Sequence, residues 1–240
     1  MKPFRLHMDA HVHIYPFYDL PRLLLAALDH MPRLAPTDQR ALCLAERAGF
    51  TFFQALAQDE LSLHSEQWRI VAWDPDGGVK IRHVPDHRDL WILSGRQTVT
   101  AEHIEICSLF SDRPVPDGQD AESTVRAIQD AGGLPALDWA FGKWLFRRGR
   151  LIRSLLQQFP PEELVLIDTA MRPPGWPAPL VYAAARRAGR ALLAGTDPLP
   201  AEDEEDIAGC YYATLLLPPL DDPARIVAPL RRALQQPGTA

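Results

Sequence analysis

The chain has 240 residues, 47% of them apolar, with 25 basic against 31 acidic side chains and a net charge of −6. This composition supports a sizeable core and argues against disorder. Basic residues are dispersed apart from Arg147-Arg148-Gly149-Arg150 and Arg186-Arg187, which argues against the concentrated positive face of a nucleic-acid binder.

The apolar runs fall far short of the roughly 20 residues of a membrane-spanning helix, and no secretory leader is expected ahead of the first strand. Cys43, Cys107 and Cys210 are isolated and odd in number. Neither a disulfide framework nor a thiolate zinc site is therefore expected, and a reducing cytoplasm is the expected location.

Residues 4–8 read as a first strand ending at Asp9. Residues 18–31 carry a helical stripe at Leu20, Leu23, Leu24, Ala27, Leu28 and Met31. Thr37 is expected to cap a second helix through Leu42, Leu44 and Ala45, stopping near Gly49. Residues 50–56 fit either a strand or a continued helix. Residues 68–73 and 79–83 flank Asp76-Gly77-Gly78 and predict a hairpin, and residues 90–93 and 104–109 predict short strands. Helix and strand then alternate: helix 121–131, strand 134–137, helix 151–159, strand 164–167, helix 180–188, strand 191–194, strand 214–217 and helix 224–234. Such alternation implies parallel strands with crossover helices. With no repeat or linker, residues 1–240 are expected to form one domain.

Asp9, Asp138, Asp168 and Asp197 fall at or just beyond predicted strand ends. In an α/β barrel those ends share the catalytic face, although a single aspartate there is often only a helix cap. His11 and His13, one residue apart, point to one side of an extended backbone. Two neutral imidazoles so placed converge on one cation, and Asp197, in Gly195-Thr196-Asp197-Pro198, is the best third ligand. His103 pairs with Glu105 by the same alternation and is a further ligand candidate. Asp138 and Asp197 are the candidate proton-transfer groups. Arg172, Lys143 and Asp168, just past strand ends, are candidates for contact with an anionic substrate. Each of these also fits a surface role. His7, His30, His64, His83 and His87 have no partner by spacing.

Taken together, these residues resemble the polymerase and histidinol phosphatase (PHP) superfamily of metal-dependent phosphoesterases. That family opens on a strand and a His-x-His, as in Met8-Asp9-Ala10-His11-Val12-His13. Leu93-Ser94-Gly95-Arg96-Gln97 followed by His103 resembles its Gly-x-Glu segment and next histidine. Pro135-Ala136-Leu137-Asp138-Trp139 resembles its Ala-His-Pro strand end, and Gly195-Thr196-Asp197-Pro198-Leu199 its closing Gly-Ser-Asp-x-His. The resemblance implies an α/β fold, a single-domain (β/α) barrel: a distorted seven-stranded PHP-like TIM barrel with a small β-hairpin insertion. Gln97, Asp138 and Leu199 stand where the family has a bridging glutamate and two histidines, and no Asp-His pair follows near Phe53-Gln54-Ala55. The family's full trinuclear cluster is therefore not expected.

Two readings follow. In the first the chain is a hydrolase in which His11, His13, Asp197 and His103 hold one or two divalent ions, zinc, manganese or iron. Water activated there would attack a phosphoester in a small anionic substrate. In the second it is a non-catalytic descendant of the same fold that binds a ligand or protein. An amidohydrolase-type barrel shares the His-x-His and late aspartate, but the middle strands lack the lysine or histidine pair. Neither nucleic acid nor membrane is an expected partner, and the oligomeric state stays open.

Overall fold

The computed structural model describes residues 3–58, 67–140, 142–173 and 175–236; His64 lies outside them. Its strands are β1 (Phe4–Val12), β2 (Gln39–Leu44), β3 (Trp68–Asp74), β4 (Gly78–His83), β5 (Arg88–Leu93), β6 (Gly95–Val99), β7 (Glu105–Leu109), β8 (Leu134–Asp138), β9 (Val165–Thr169), β10 (Leu192–Gly195) and β11 (Ala213–Leu217). Its helices are α1 (Leu20–His30), α2 (Phe52–Ala57), α3 (Ala121–Asp130), α4 (Phe146–Gln158), α5 (Leu180–Arg187) and α6 (Val227–Leu234).

Six strands form one sheet in the order β11-β1-β2-β5-β4-β3, and five form a second in the order β10-β9-β8-β7-β6. Pairing is parallel at β1–β2, β2–β5, β8–β9 and β9–β10 and antiparallel elsewhere. The expected closed (β/α) barrel, the seven-stranded PHP-like TIM barrel, is thereby corrected. Crossover helices make only the parallel pairs. The antiparallel runs β3–β4–β5 and β6–β7–β8 extend each sheet sideways to an edge, so among the described residues no continuous ladder closes a ring. The hairpin across Asp76-Gly77-Gly78 forms as expected, but as two strands of the first sheet.

The inner faces of the sheets share one core. Leu6, Met8, Ala41, Cys43 and Trp91 from the first pack with Cys107, Ala136, Val165, Ile167 and Leu193 from the second, and α6 adds Val227 and Leu230. Outer faces are covered by helices. Leu23, Leu24 and Leu28 of α1 pack over Leu42, Leu44 and Ile92, while Val125, Ile152 and Tyr182 of α3, α4 and α5 pack over Ile106, Leu137 and Leu166. α1 begins where Asp19 accepts from the Arg22 backbone N–H at 3.2 Å, and α3 where Asp120 accepts from that of Ser123 at 2.9 Å; both are side-chain caps.

One further expectation changes, and one strand has no counterpart among the expected elements. Residues 39–44, expected within a helix, are β2: the strand is buried on both faces, so it lacks the period-two alternation that marks a half-exposed strand. Residues 95–99, whose sequence Gly-Arg-Gln-Thr-Val has no apolar pattern, form β6.

The sheets touch at two seams, each at a glycine. At the β2–β6 seam a Cβ on Gly95 would lie 2.1 Å from the Leu44 carbonyl oxygen. At the β1–β10 seam a Cβ on Gly195 would lie 2.6 Å from both the His11 nitrogen and its Cβ. Close backbone approach, which any side chain would block, is what glycine supplies at both.

Candidate metal centre

The site forms where β1 leaves the core. Register between β1 and β2 runs Met8–Ala41 and Asp9–Leu42, then resumes at Val12–Leu44, so β1 carries one extra residue. Regular alternation from Met8 and Ala10, both in the inner core, would send His11 and His13 to the helix-covered face. The bulge resets the parity: Val12 packs outward with Leu44, and His11 and His13 turn inward. A one-residue shift moves every later side chain to the other face.

The two rings meet at Nε2, 3.1 Å apart. Asp197 Oδ1 lies 3.4 Å from each of those nitrogens. Asp197 reaches this position because its loop is anchored to β1. Its backbone N–H donates to the His11 carbonyl at 2.9 Å, and its φ of 54° is left-handed, a conformation in which aspartate is enriched among non-glycine residues. Asp9, fully buried, is the anchor: it accepts from the Thr196 N–H at 2.9 Å, the Thr196 hydroxyl at 2.5 Å and the Gly209 N–H at 2.9 Å.

On the opposite edge of the His11 ring, Nδ1 faces Asp138 Oδ1 at 3.5 Å and Cys107 Sγ at 3.6 Å. Both Asp138 oxygens are buried without a hydrogen-bond partner. Burial opposes a charge on His11, but Asp197 and Asp138 outweigh it and push the imidazole up to about 10. Burial holds His13 below its ordinary value. Burial would raise Asp197, yet His11 and His13 bring it below the usual carboxylate range, which keeps it anionic.

His11, His13 and Asp197 could together hold a metal ion, as could His11, Cys107 and Asp138. The first set fits best. Four donors about 2.0–2.1 Å from a tetrahedral zinc lie roughly 3.3–3.4 Å from one another, and the observed separations are 3.1, 3.4 and 3.4 Å. Two imidazoles and a carboxylate also form the donor set of facial iron sites.

The other candidates lie elsewhere. β7 begins only at Glu105, so His103 does not share its alternation. It sits exposed in the preceding turn with φ 59° and is not among the groups within reach of a common ion, among the described residues. Lys143 donates to Glu105 at 2.5 Å, and this pair is close enough for Glu105 to act on His11 and Lys143 on Asp197. Asp168 follows the outward parity of Leu166. Its carboxylate is held by Arg172 in a forked contact at 3.0 and 2.6 Å and by the Tyr182 and Tyr211 hydroxyls at 3.2 and 2.7 Å. Sequence reasoning missed Cys107, which continues the Glu105 alternation, and Tyr15 and Arg47, which no motif marks.

No family model matches the chain, and no curated protein matches it significantly. Solved structures that share its fold include the following two. PsfC from Pseudomonas syringae PB-5123 is 15% identical, with a TM-score of 0.54 over 98% of this chain and 90% of that one. The lesion-specific endonuclease PfuEndoQ from Pyrococcus furiosus is 12% identical, with a TM-score of 0.51 over 96% of this chain but only 56% of that one. Among the described residues no helix is long and apolar enough to cross a membrane.

Proposed function

We propose that the chain is a divergent PHP-like hydrolase that uses one divalent ion, held by His11, His13 and Asp197, to cleave a phosphoester. The observation that carries this reading is the triangle of His11 Nε2, His13 Nε2 and Asp197 Oδ1, whose sides match a metal's coordination edges. Fold likeness to an endonuclease, an enzyme that cuts phosphodiesters, supports the choice of bond. When bound, a divalent ion supplies Lewis acidity and lowers the pKa of water that it binds, toward about 7 for zinc.

The chain's own groups prepare for this. Asp138 faces His11 Nδ1 at 3.5 Å, so a proton kept on Nδ1 would be held toward that carboxylate and the Nε2 lone pair would be left for the ion. Asp9 fixes the loop that carries Asp197. Lys143 is paired with Glu105 and its charge reaches Asp197, so its release from Glu105 would let it meet a substrate anion.

The test is metal analysis of the purified protein with a phosphoesterase screen. About one equivalent of zinc, manganese or iron, lost in the variant His11→Ala with His13→Ala, is the expected result. Less than about a tenth of an equivalent, unchanged after addition of zinc or manganese, would overturn the reading in favour of a non-catalytic binding module.

A further inference from the structure

Beside His13 the wall of the site is aromatic. The His13 and Tyr15 rings are 5.8 Å apart. Tyr15 stacks on Phe17 at 5.6 Å with 12° between planes, and Tyr18 and Phe50 approach Tyr15 edge-on at 5.3 and 6.0 Å. Next to these rings opens a cavity of about 360 Å³, walled by Tyr15, Tyr18, Leu20, Phe50, Phe52 and Ala55. A narrow cleft bounded by His13, Tyr15, Glu46, Arg47 and Phe50 shares Tyr15 and Phe50 with it, so the cavity and a metal ligand border the same two rings. Arg47 is exposed beside this cleft, and its charge acts on both Tyr15 and His13. Tyr18 donates its hydroxyl proton to the Leu199 carbonyl, which ties the cavity wall to the loop carrying Asp197.

We infer that this cavity is the subsite for a planar aromatic group of the substrate, which makes the substrate an aryl-bearing phosphoester, with Arg47 beside its anionic part. The inference rests on the hydrolase reading. Its volume falls in the range of small-molecule sites, which are mainly apolar with a few placed polar groups. Ring faces and edges set at right angles favour another aromatic ring over an aliphatic chain, because stacked and edge-to-face pairs both gain beyond area burial. The charged groups stand at one end only, toward His13 and Arg47, where Glu46 is already engaged by the Phe53 N–H and by Arg96, so a ligand apolar at one end and anionic at the other matches the polarity of the site.

Calorimetry with benzylphosphonate and methylphosphonate, which have no ester to cleave, tests this on the chain with and without added zinc. Burial of one ring predicts that benzylphosphonate binds about tenfold tighter or more. Ala55→Phe, which fills the cavity, should abolish that preference while leaving zinc content unchanged, and Phe50→Ala should weaken it. Equal affinities in the unmodified chain, no binding of either probe at millimolar concentration, or a preference that survives both substitutions would overturn the inference. Zinc content, measured on the same samples, keeps the two readings apart. A preference without zinc uptake would sink the hydrolase reading and the phosphoester with it, leaving only an aryl-binding cavity; zinc uptake without a preference would sink the aromatic subsite alone.

Discussion

His11 and Asp138 meet through Nδ1 and Oδ1 at 3.5 Å, on the edge of the imidazole opposite His13 and Asp197. One ring thus has an anion at each nitrogen, and only one edge faces the group of ligand atoms. A carboxylate behind a ligating histidine sets its tautomer and raises its basicity. Asp138→Asn is therefore expected to weaken metal binding about 10- to 100-fold without changing which residues bind. Chelator competition measures it, and an unchanged affinity would remove Asp138 from the site.

The same ring governs pH dependence. In the metal-free chain His11 is pushed up to about 10 from 6.5. A group whose folded pKa is raised stabilises the fold fully below its unfolded value and loses that contribution as pH rises through the folded one. Metal-free protein should accordingly lose stability between pH 7 and 10, as read by thermal unfolding in chelator. Binding an ion must displace the His11 proton, so apparent zinc affinity should fall about tenfold for each pH unit below 10. Affinity flat between pH 6.5 and 8.5 would contradict the assignment of His11 as a ligand.

Gly195→Ala tests the seam between the sheets. The added Cβ meets His11 backbone and Cβ at 2.6 Å, so β1 and β10 must separate. Overpacking of this kind costs about 1–3 kcal/mol. Denaturant unfolding should show that loss, and zinc content should fall with it, because His11 and Asp197 sit on opposite sides of the seam. Full zinc content in a destabilised variant would show that the ligands tolerate the displacement.

Asp74 offers a contrast away from the site. Fully buried at the end of β3, it accepts from the N–H groups of Ile226 and Val227 at 2.7 and 2.8 Å, at the start of α6. Asp74→Ala leaves those donors without an acceptor and should cost about 1–2 kcal/mol in urea unfolding, with metal binding intact. A neutral substitution would mean that water replaces the cap.

Much of this was legible in the sequence, and the exceptions have physical causes. His11, His13 and Asp197 were readable because their chemistry is local: two imidazoles one residue apart, and a carboxylate after a glycine at a strand exit. β2 was not, since burial on both sides removes alternation and its leucines then imitate a helical face. β6 was hidden because Arg96, Gln97 and Thr98 are buried polar residues. His103 was drawn into the site by extending a strand two residues too far. The bulge between Asp9 and Val12 has no signature of composition at all, as it exists only relative to β2. The arrangement of strands into two sheets likewise depends on which edges meet, a property of pairs that no single segment carries.

The three ligand groups have divided ownership. His11 belongs to the six-stranded sheet and His13 follows directly on the end of its strand, while Asp197 hangs from the last strand of the other. An ion held by all three would act as a rivet across the join. Any shear of one sheet against the other would be felt as a change in coordination, and removal of the ion would loosen the contact between the layers before it loosened either layer.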